Sequence, residues 1–270
     1  MKTRVVSAIV ALCLLVAVLF LFETAVLDVA IAALSVIAVY EMIKAVGLSK
    51  EKGFTALCAA FAGLLSTEYY MSFSSVSGFV ELVFALIVLI FVLAKHKKVK
   101  ATDAAFAFFF TVIIPKAFST LLIFRSHGAP VSYFLVIMSL AIAWLNDTCA
   151  YFSGYLFGKH KLCPEISPKK TVEGAIGGVL GDVAFCCVIA FIFTAVTEYT
   201  VNWLSLVVFL PIGAVAAIFG DLCASIIKRQ FGVKDYGNIM PGHGGIMDRF
   251  DSWIFVAPLL YLWNVCFPFI

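Results

Sequence analysis

The sequence predicts an all-α, polytopic membrane protein of about nine transmembrane helices, and three observations carry that expectation. The first is composition. Hydrophobic residues fill 63% of the 270 positions and charged residues only 13%, with a mean hydropathy of +1.09. A soluble domain is about half apolar and about a quarter charged. No water-soluble chain of this length hides so much apolar surface in its own core, so lipid has to be the solvent. The second observation is that apolar runs recur at spanning length. The third is that the basic residues gather on one side of those runs.

The runs are 5–22, 25–43, 54–70, 79–94, 104–124, 132–152, 174–195, 204–223 and 251–268. A helix crosses the hydrocarbon core with about 20 apolar residues, roughly 17–25. The opening Met1-Lys2-Thr3-Arg4 and the run behind it resemble a signal peptide. No small-residue cleavage site follows, and more spans do, so the segment reads as a span. The first two runs are joined by a tight link near Glu23, as in a helical hairpin. The third has Glu68 and tyrosines near one end. The fifth holds Pro115-Lys116, which is expected to kink or break it.

Starting with the N-terminus inside and alternating, the inner segments are 1–4, 44–53, 95–103, 153–173 and 224–250. They hold 17 of the 19 basic residues, leaving only Arg125 in an outer loop and Lys116 within a span. This is the positive-inside pattern, with the C-terminus outside. It divides the chain into an N-terminal hairpin region (1–78), a middle transmembrane region (79–131) and a C-terminal catalytic region (132–270). The short basic loop 95–103 reads as a topology signal with some attraction for anionic headgroups. The eight cysteines lie mostly in apolar runs without paired spacing and read as small apolar residues rather than disulfide or zinc sites. There is no internal repeat.

Charge at membrane depth is costly and needs a reason. Asp147 lies late in the sixth run, Asp221 at the inner end of the eighth, and Asp248 and Asp251 at the start of the ninth. Alternation puts all four at one membrane surface. Asp248 and Asp251 share a face if that segment is helical. Four carboxylates repel unless cations sit among them, and hard oxygen ligands suit Mg²⁺. The eighth run is expected to continue as an amphipathic extension whose Asp221, Ser225 and Lys228 line one face. The plain alternative is a snorkelling Lys228-Arg229 pair that ends a helix, with Asp221 paired to it.

Residues 234–251, KDYGNIMPGHGGIMDRFD, surround His243 with glycines and Pro241. Glycines let backbone N–H groups approach an oxyanion, and Lys234, His243 and Arg249 add positive charge or donors. A plain turn between two spans would need the glycines but not this density of charge. The inner loop 153–173 ends in SPKKTVEG. Ser167 or Thr171 can cap the next helix, with Pro168 in its first turn. Lys169-Lys170 at a helix start favours an anionic ligand, although capping and topology alone would also select these residues.

The run from Ser225 through Lys228-Arg229, Lys234-Asp235, Gly237, Pro241, His243-Gly244-Gly245-Ile246 and Asp248-Arg249-Phe250-Asp251 closely resembles the signature of the phosphatidate cytidylyltransferases, also called CDP-diglyceride synthetases. Met240 is a slight departure from the usual large apolar residue there. Asn146-Asp147 to Tyr151, Phe157-Gly158-Lys159-His160-Lys161-Leu162, Ser167 to Thr171 and Gly177-Gly178 also look like segments of that family. Bacterial relatives tend to have Ala-Asp in place of Asn146-Asp147. The likeness covers about the last 130 residues; before them only hydropathy is shared.

The resemblance implies transfer of a cytidylyl group from CTP to phosphatidic acid, giving CDP-diacylglycerol and pyrophosphate, with one or two Mg²⁺ ions as cofactor. It implies a multi-pass protein of the inner (plasma) membrane with its active site facing the cytoplasm. Its partners would be CTP, phosphatidic acid and membrane lipid, with a homodimer possible through the middle spans and no nucleic acid. Asp221, Asp248, Asp251 and Asp147 are the metal candidates. Asp221, Asp248, Lys228, Arg229 and His243 are the catalytic candidates. Lys169, Lys170, Thr171, Ser225, Lys234, Asp235, Gly244, Gly245 and Arg249 are the candidates for substrate contacts. The rival readings are a CTP-dependent polyprenol or phytol kinase and a membrane transporter. The clustered Asp-x2-Asp-Gly-x2-Ala-Arg pattern of CDP-alcohol phosphatidyltransferases is absent.

Overall fold

The computed structural model of the chain describes residues 20–67, 74–240 and 244–270. Nearly all of the first expected span, together with Glu68 and His243, lies outside them. The elements in order are α1 (Ala25–Ala45), a 3₁₀ turn (Leu48–Lys50), α2 (Lys52–Ser66), α3 (Ser74–Ala94), α4 (Ala101–Arg125), α5 (Val131–Phe157), β1 (Lys161–Cys163), β2 (Ser167–Thr171), α6 (Val172–Val196), α7 (Trp203–Gln230), α8 (Met247–Phe250) and α9 (Trp253–Cys266).

Helices α1, α4, α5, α6 and α7 are long and apolar enough to cross a membrane. Helices α2 and α9 and the Gly78–Ala94 part of α3 are apolar but shorter; they fall on the third, ninth and fourth expected spans. The chain is thus a largely helical, multi-pass membrane protein. Of the two outcomes expected at Pro115, a kink or a break, the break is absent: α4 runs unbroken from Ala101 to Arg125. Two details differ from the sequence expectation. The expectation of helices alone misses a two-stranded antiparallel sheet, in which β1 pairs with β2 through Lys161–Thr171 and Cys163–Ser167. Pro168 therefore lies in a strand rather than in the first turn of a helix. The cap of α6 is Thr171, whose side chain accepts the Gly174 N–H at 3.1 Å.

The chain divides into two compact units: Met1–Ile123 with Phe231–Arg249, and Phe124–Gln230 with Phe250–Ile270. In the first, an aromatic seam joins α2, α3 and α4 through stacked rings, Phe54 on Phe91, Phe61 on Phe84 and Phe84 on Phe108. The charge of Lys116 inside α4 is answered by an ion pair with Glu81 of α3, an inward pairing of the kind lipid demands of intramembrane charge.

In the second unit the packing is inverted relative to a soluble core. Along α6 the buried positions are Gly174, Gly178, Asp182, Cys186 and Ala190, every fourth residue and all small or polar. Large apolar side chains such as Leu180 and Phe191, each 66% exposed, point outward. Lipid tails are as apolar as leucine, so helices in a bilayer associate by close packing rather than by hiding oily surface from water. The glycines make that packing close. A Cβ at Gly174 would stand 2.8 Å from the Ala150 carbonyl oxygen, and one at Gly178 2.7 Å from the Asn146 Oδ1, so α6 lies directly against α5. Helix α9 is fastened by two indoles: Trp253 donates to Ser139 of α5 at 3.0 Å and Trp263 to Ser205 of α7 at 3.1 Å.

Candidate active site

The second unit gathers most of the charged residues singled out from the sequence. Thr171 ends β2 and begins α6, so the β1–β2 hairpin holds Lys169 and Lys170 just before that helix. Helix α7 continues to Gln230, which places Asp221, Ser225 and Lys228 on one continuous helix. A cavity of about 370 Å³ is lined by Asp147 and Tyr151 of α5, by Lys169, Lys170 and Thr171, and by Asp221.

Lysine–carboxylate pairs join candidate residues in this unit. Lys170 pairs with Asp221, each side chain 24% exposed. Lys228 lies 3.9 Å from Asp251, at 15% and 11% exposed. Gly220 lets the Asp251 turn come close to α7, since a Cβ there would stand 2.7 Å from the Asp251 carbonyl oxygen. Asp251 itself sits between the last two helices, outside the helical spans. Burial, and after it the negative charge of Asp221, pushes its carboxyl up to about 7; Lys228 opposes this and Asp147 adds a weaker push. Asp147, Asp221 and Asp251 thus share one electrostatic neighbourhood. Ser225 is half-buried, and Arg229 is exposed at the end of α7.

Oxygen-only donors fit a hard cation. Mg²⁺ commonly takes one or two carboxylates and completes its shell with water and substrate phosphate oxygens. Among the described residues no three His, Cys, Asp or Glu side chains converge on one point. Asp221 and Asp251 supply carboxylate oxygens of the kind such an ion accepts.

The condition under which Asp248 and Asp251 would share a face, one helix through both, is not met. Helix α8 ends at Phe250, so Asp248 and Asp251 do not share a face of one continuous helix. Asp248 belongs to the first unit, where its Oδ2 accepts the N–H groups of Tyr236 and Gly245, each at 2.9 Å. Gly245 is one of the glycines expected to offer its N–H to a ligand, and here that N–H is committed to Asp248. Gly244 has a φ of +85°, a left-handed conformation that glycine adopts without strain. Lys234, Asp235 and Arg249 are exposed.

Two residues escape the sequence reading. Glu41 of α1 is 2% exposed and accepts two backbone hydrogen bonds, from Ile246 at 3.1 Å and Met247 at 2.9 Å. Asp182 of α6 is fully buried. Its Oδ1 accepts from the Cys186 thiol at 3.4 Å, and its Oδ2 has no hydrogen-bond partner among the described residues. The available signal in both cases was an acid inside a spanning run. The described cysteines are free thiols.

Apolar spans around a cavity lined with lysines and carboxylates define a membrane protein equipped to handle an anionic ligand next to lipid. The sequence matches the model of the cytidylyltransferase family over residues 2–267. It is 33% identical over 274 residues to a protein of Bacillus subtilis (strain 168) named phosphatidate cytidylyltransferase, covering 97% of this chain and 96% of that one. A Staphylococcus haemolyticus (strain JCSC1435) protein of the same name is 34% identical over 263 residues, covering 96% of this chain and 97% of the relative. One from Staphylococcus aureus (strain COL) is 40% identical over 178 residues, 65% of each chain. The chain belongs to the cytidylyltransferase family and is a nucleotidyltransferase.

Proposed function

We infer that the chain transfers a cytidylyl group from CTP to phosphatidic acid, releasing pyrophosphate and leaving CDP-diacylglycerol in the membrane. The observation that carries the reading is the pairing of Lys170 with Asp221 at the cavity, beside Asp147 and Lys169. Both substrates bear phosphate. A phosphate oxygen of the lipid attacks the α-phosphorus of CTP, forming one P–O bond while the bond to the β-phosphate breaks. That nucleophile is already ionised near neutral pH, so no general base is required. The barrier is lowered by positioning and by charge neutralisation.

The residues divide that work. Lys169, Lys170 and Lys228 neutralise phosphate oxygens, and Lys170 and Lys228 are held ready by their carboxylates. Arg229, Lys234, Arg249 and His243 add positive charge or donors, and Thr171 and Ser225 offer hydroxyls. Asp221 and Asp251, with Asp147 nearby, would hold Mg²⁺, which when bound supplies Lewis-acid stabilisation of phosphate charge, and Asp248 of the signature turn is a separate candidate ligand. Nine spans with the N-terminus inside would put these groups on the cytoplasmic face of the plasma membrane. The lipid headgroup would then enter from the inner leaflet while its chains stay in the bilayer. A homodimer through the middle spans fits the same arrangement.

The test is phosphatidate-dependent release of pyrophosphate from CTP by purified protein in lipid nanodiscs with Mg²⁺. The expected result is pyrophosphate with CTP and little with ATP. Production of CDP instead would mark a lipid kinase, and no nucleotide turnover would favour a transporter.

A further inference from the structure

The Gly-rich turn of the first unit is folded around two carboxylates. Three successive backbone N–H groups, those of Gly245, Ile246 and Met247, open the short helix α8, and each ends on a carboxylate oxygen. Asp248 takes the first, along with the Tyr236 N–H. Glu41 takes the other two, one on each oxygen. Successive N–H groups of this kind form a concavity suited to an anion. Here the anion is a side chain reaching from α1, 205 residues away in sequence.

The surrounding residues are shaped to this carboxylate. A Cβ at either Gly237 or Gly245 would collide with the Glu41 carboxyl group. A Cβ at Gly244 would stand 2.7 Å from the Asp248 Oδ2. Met240 donates its N–H to the Gly244 carbonyl at 3.0 Å, closing the turn. A buried carboxylate is costly unless fully hydrogen-bonded, and this one answers two buried backbone donors that would otherwise lack an acceptor. What a two-toothed carboxylate supplies is register: it fixes Ile246 and Met247, and with them the backbone that aims Asp248.

We propose that Glu41 is a positioning residue for nucleotidyl transfer, a clasp in α1 that sets the Gly244–Asp248 turn in its working geometry. The proposal rests on the reading of the chain as a CTP:phosphatidate cytidylyltransferase. The closest chemical parallel is the outer group that orients a metal ligand, whose loss typically costs about 10- to 100-fold in affinity or activity.

Glu41→Gln is the sharpest variant, because it keeps the size but turns one acceptor into an NH₂ facing an N–H donor. Glu41→Asp keeps both acceptors on a side chain one methylene shorter. Two quantities are read on protein in nanodiscs: amide hydrogen exchange across 236–248, and kcat and KM for CTP per folded molecule over a Mg²⁺ titration. In Glu41→Gln, exchange at Ile246 and Met247 is expected to rise about 10-fold or more, with α5–α7 unchanged. In the same variant kcat is expected to fall about 10- to 100-fold while KM for CTP moves little. Glu41→Asp is expected to retain more turnover than Glu41→Gln. Wild-type exchange in Glu41→Gln overturns the clasp. Faster exchange with an unchanged kcat and Mg²⁺ profile overturns the positioning role. A wild-type protein that releases no pyrophosphate overturns the functional reading, and the positioning role with it, while the exchange data still decide the clasp.

Discussion

Carboxylates do opposite work in the two units. In the second unit, Asp221 at the cavity and Asp251 face the side-chain cations Lys170 and Lys228. In the turn of the first unit, Asp248 and Glu41 face backbone N–H groups. A lysine on a flexible stem can leave its partner and follow a phosphate, so the first arrangement is an exchangeable store of charge. A backbone N–H cannot leave without unfolding its turn, so the second fixes shape. Acid residues that look equivalent in the sequence thus divide into those paired with side-chain cations and those bonded to backbone N–H groups.

The largest effects should come from the exchangeable pairs. Lys170→Ala and Asp221→Asn are each expected to lower pyrophosphate release per folded molecule by roughly 10²-fold or more, the scale of several kcal/mol of lost phosphate stabilisation. Both should insert and elute as wild type in detergent. Near-normal turnover by both variants at ordinary Mg²⁺ would remove this pair from the chemistry.

Next is a contrast at Asp248 that separates charge from shape. Asp248→Asn keeps a carbonyl oxygen for the Tyr236 and Gly245 N–H groups, so thermal unfolding should stay near wild type while activity is lost. Asp248→Ala leaves both donors buried without that acceptor, at about 1–3 kcal/mol each, so its unfolding temperature should also drop. Equal stability of the two variants would mean that the carboxylate does not hold the turn.

A smaller effect is expected at the α5–α6 contact. Gly174→Ala sets a Cβ 2.8 Å from the Ala150 carbonyl oxygen, and overpacking of this kind costs about 1–3 kcal/mol. Its measure is the midpoint of unfolding in detergent, with activity following the folded fraction. Smallest of all, Lys97→Ala in the loop before α4 should change turnover by less than about twofold, as exposed substitutions remote from a site do.

Much of this was legible in the sequence because lipid writes a strong signal. Apolar runs, sided lysines and the dense signature from Ser225 to Asp251 need no tertiary knowledge. The Thr171 cap and the extension of α7 to Gln230 also follow from local rules. What stayed hidden depends on contacts distant in sequence. Glu41 sits in an ordinary apolar run, and its meaning comes only from backbone donors more than 200 residues later. Asp182 too sits in an apolar run, and its burial shows only once α6 is packed. The β1–β2 pairing escaped because a proline-bearing SPKKT beside a helix reads as a helix start, whereas its strand partner Lys161–Cys163 has no strand signal of its own. Asp248 and Asp251 looked like one helical face because their spacing fits one; the break after Phe250 is visible only in three dimensions.

The most direct test of the central claim follows the label in CTP. Protein in nanodiscs with phosphatidic acid and Mg²⁺ is given CTP labelled either at the α- or at the γ-phosphate. Cytidylyl transfer predicts that α-label enters the lipid and γ-label leaves as pyrophosphate, with both transfers largely lost in Asp221→Asn. Entry of γ-label into lipid, or lipid labelling that survives in Asp221→Asn at the wild-type rate, would contradict the account.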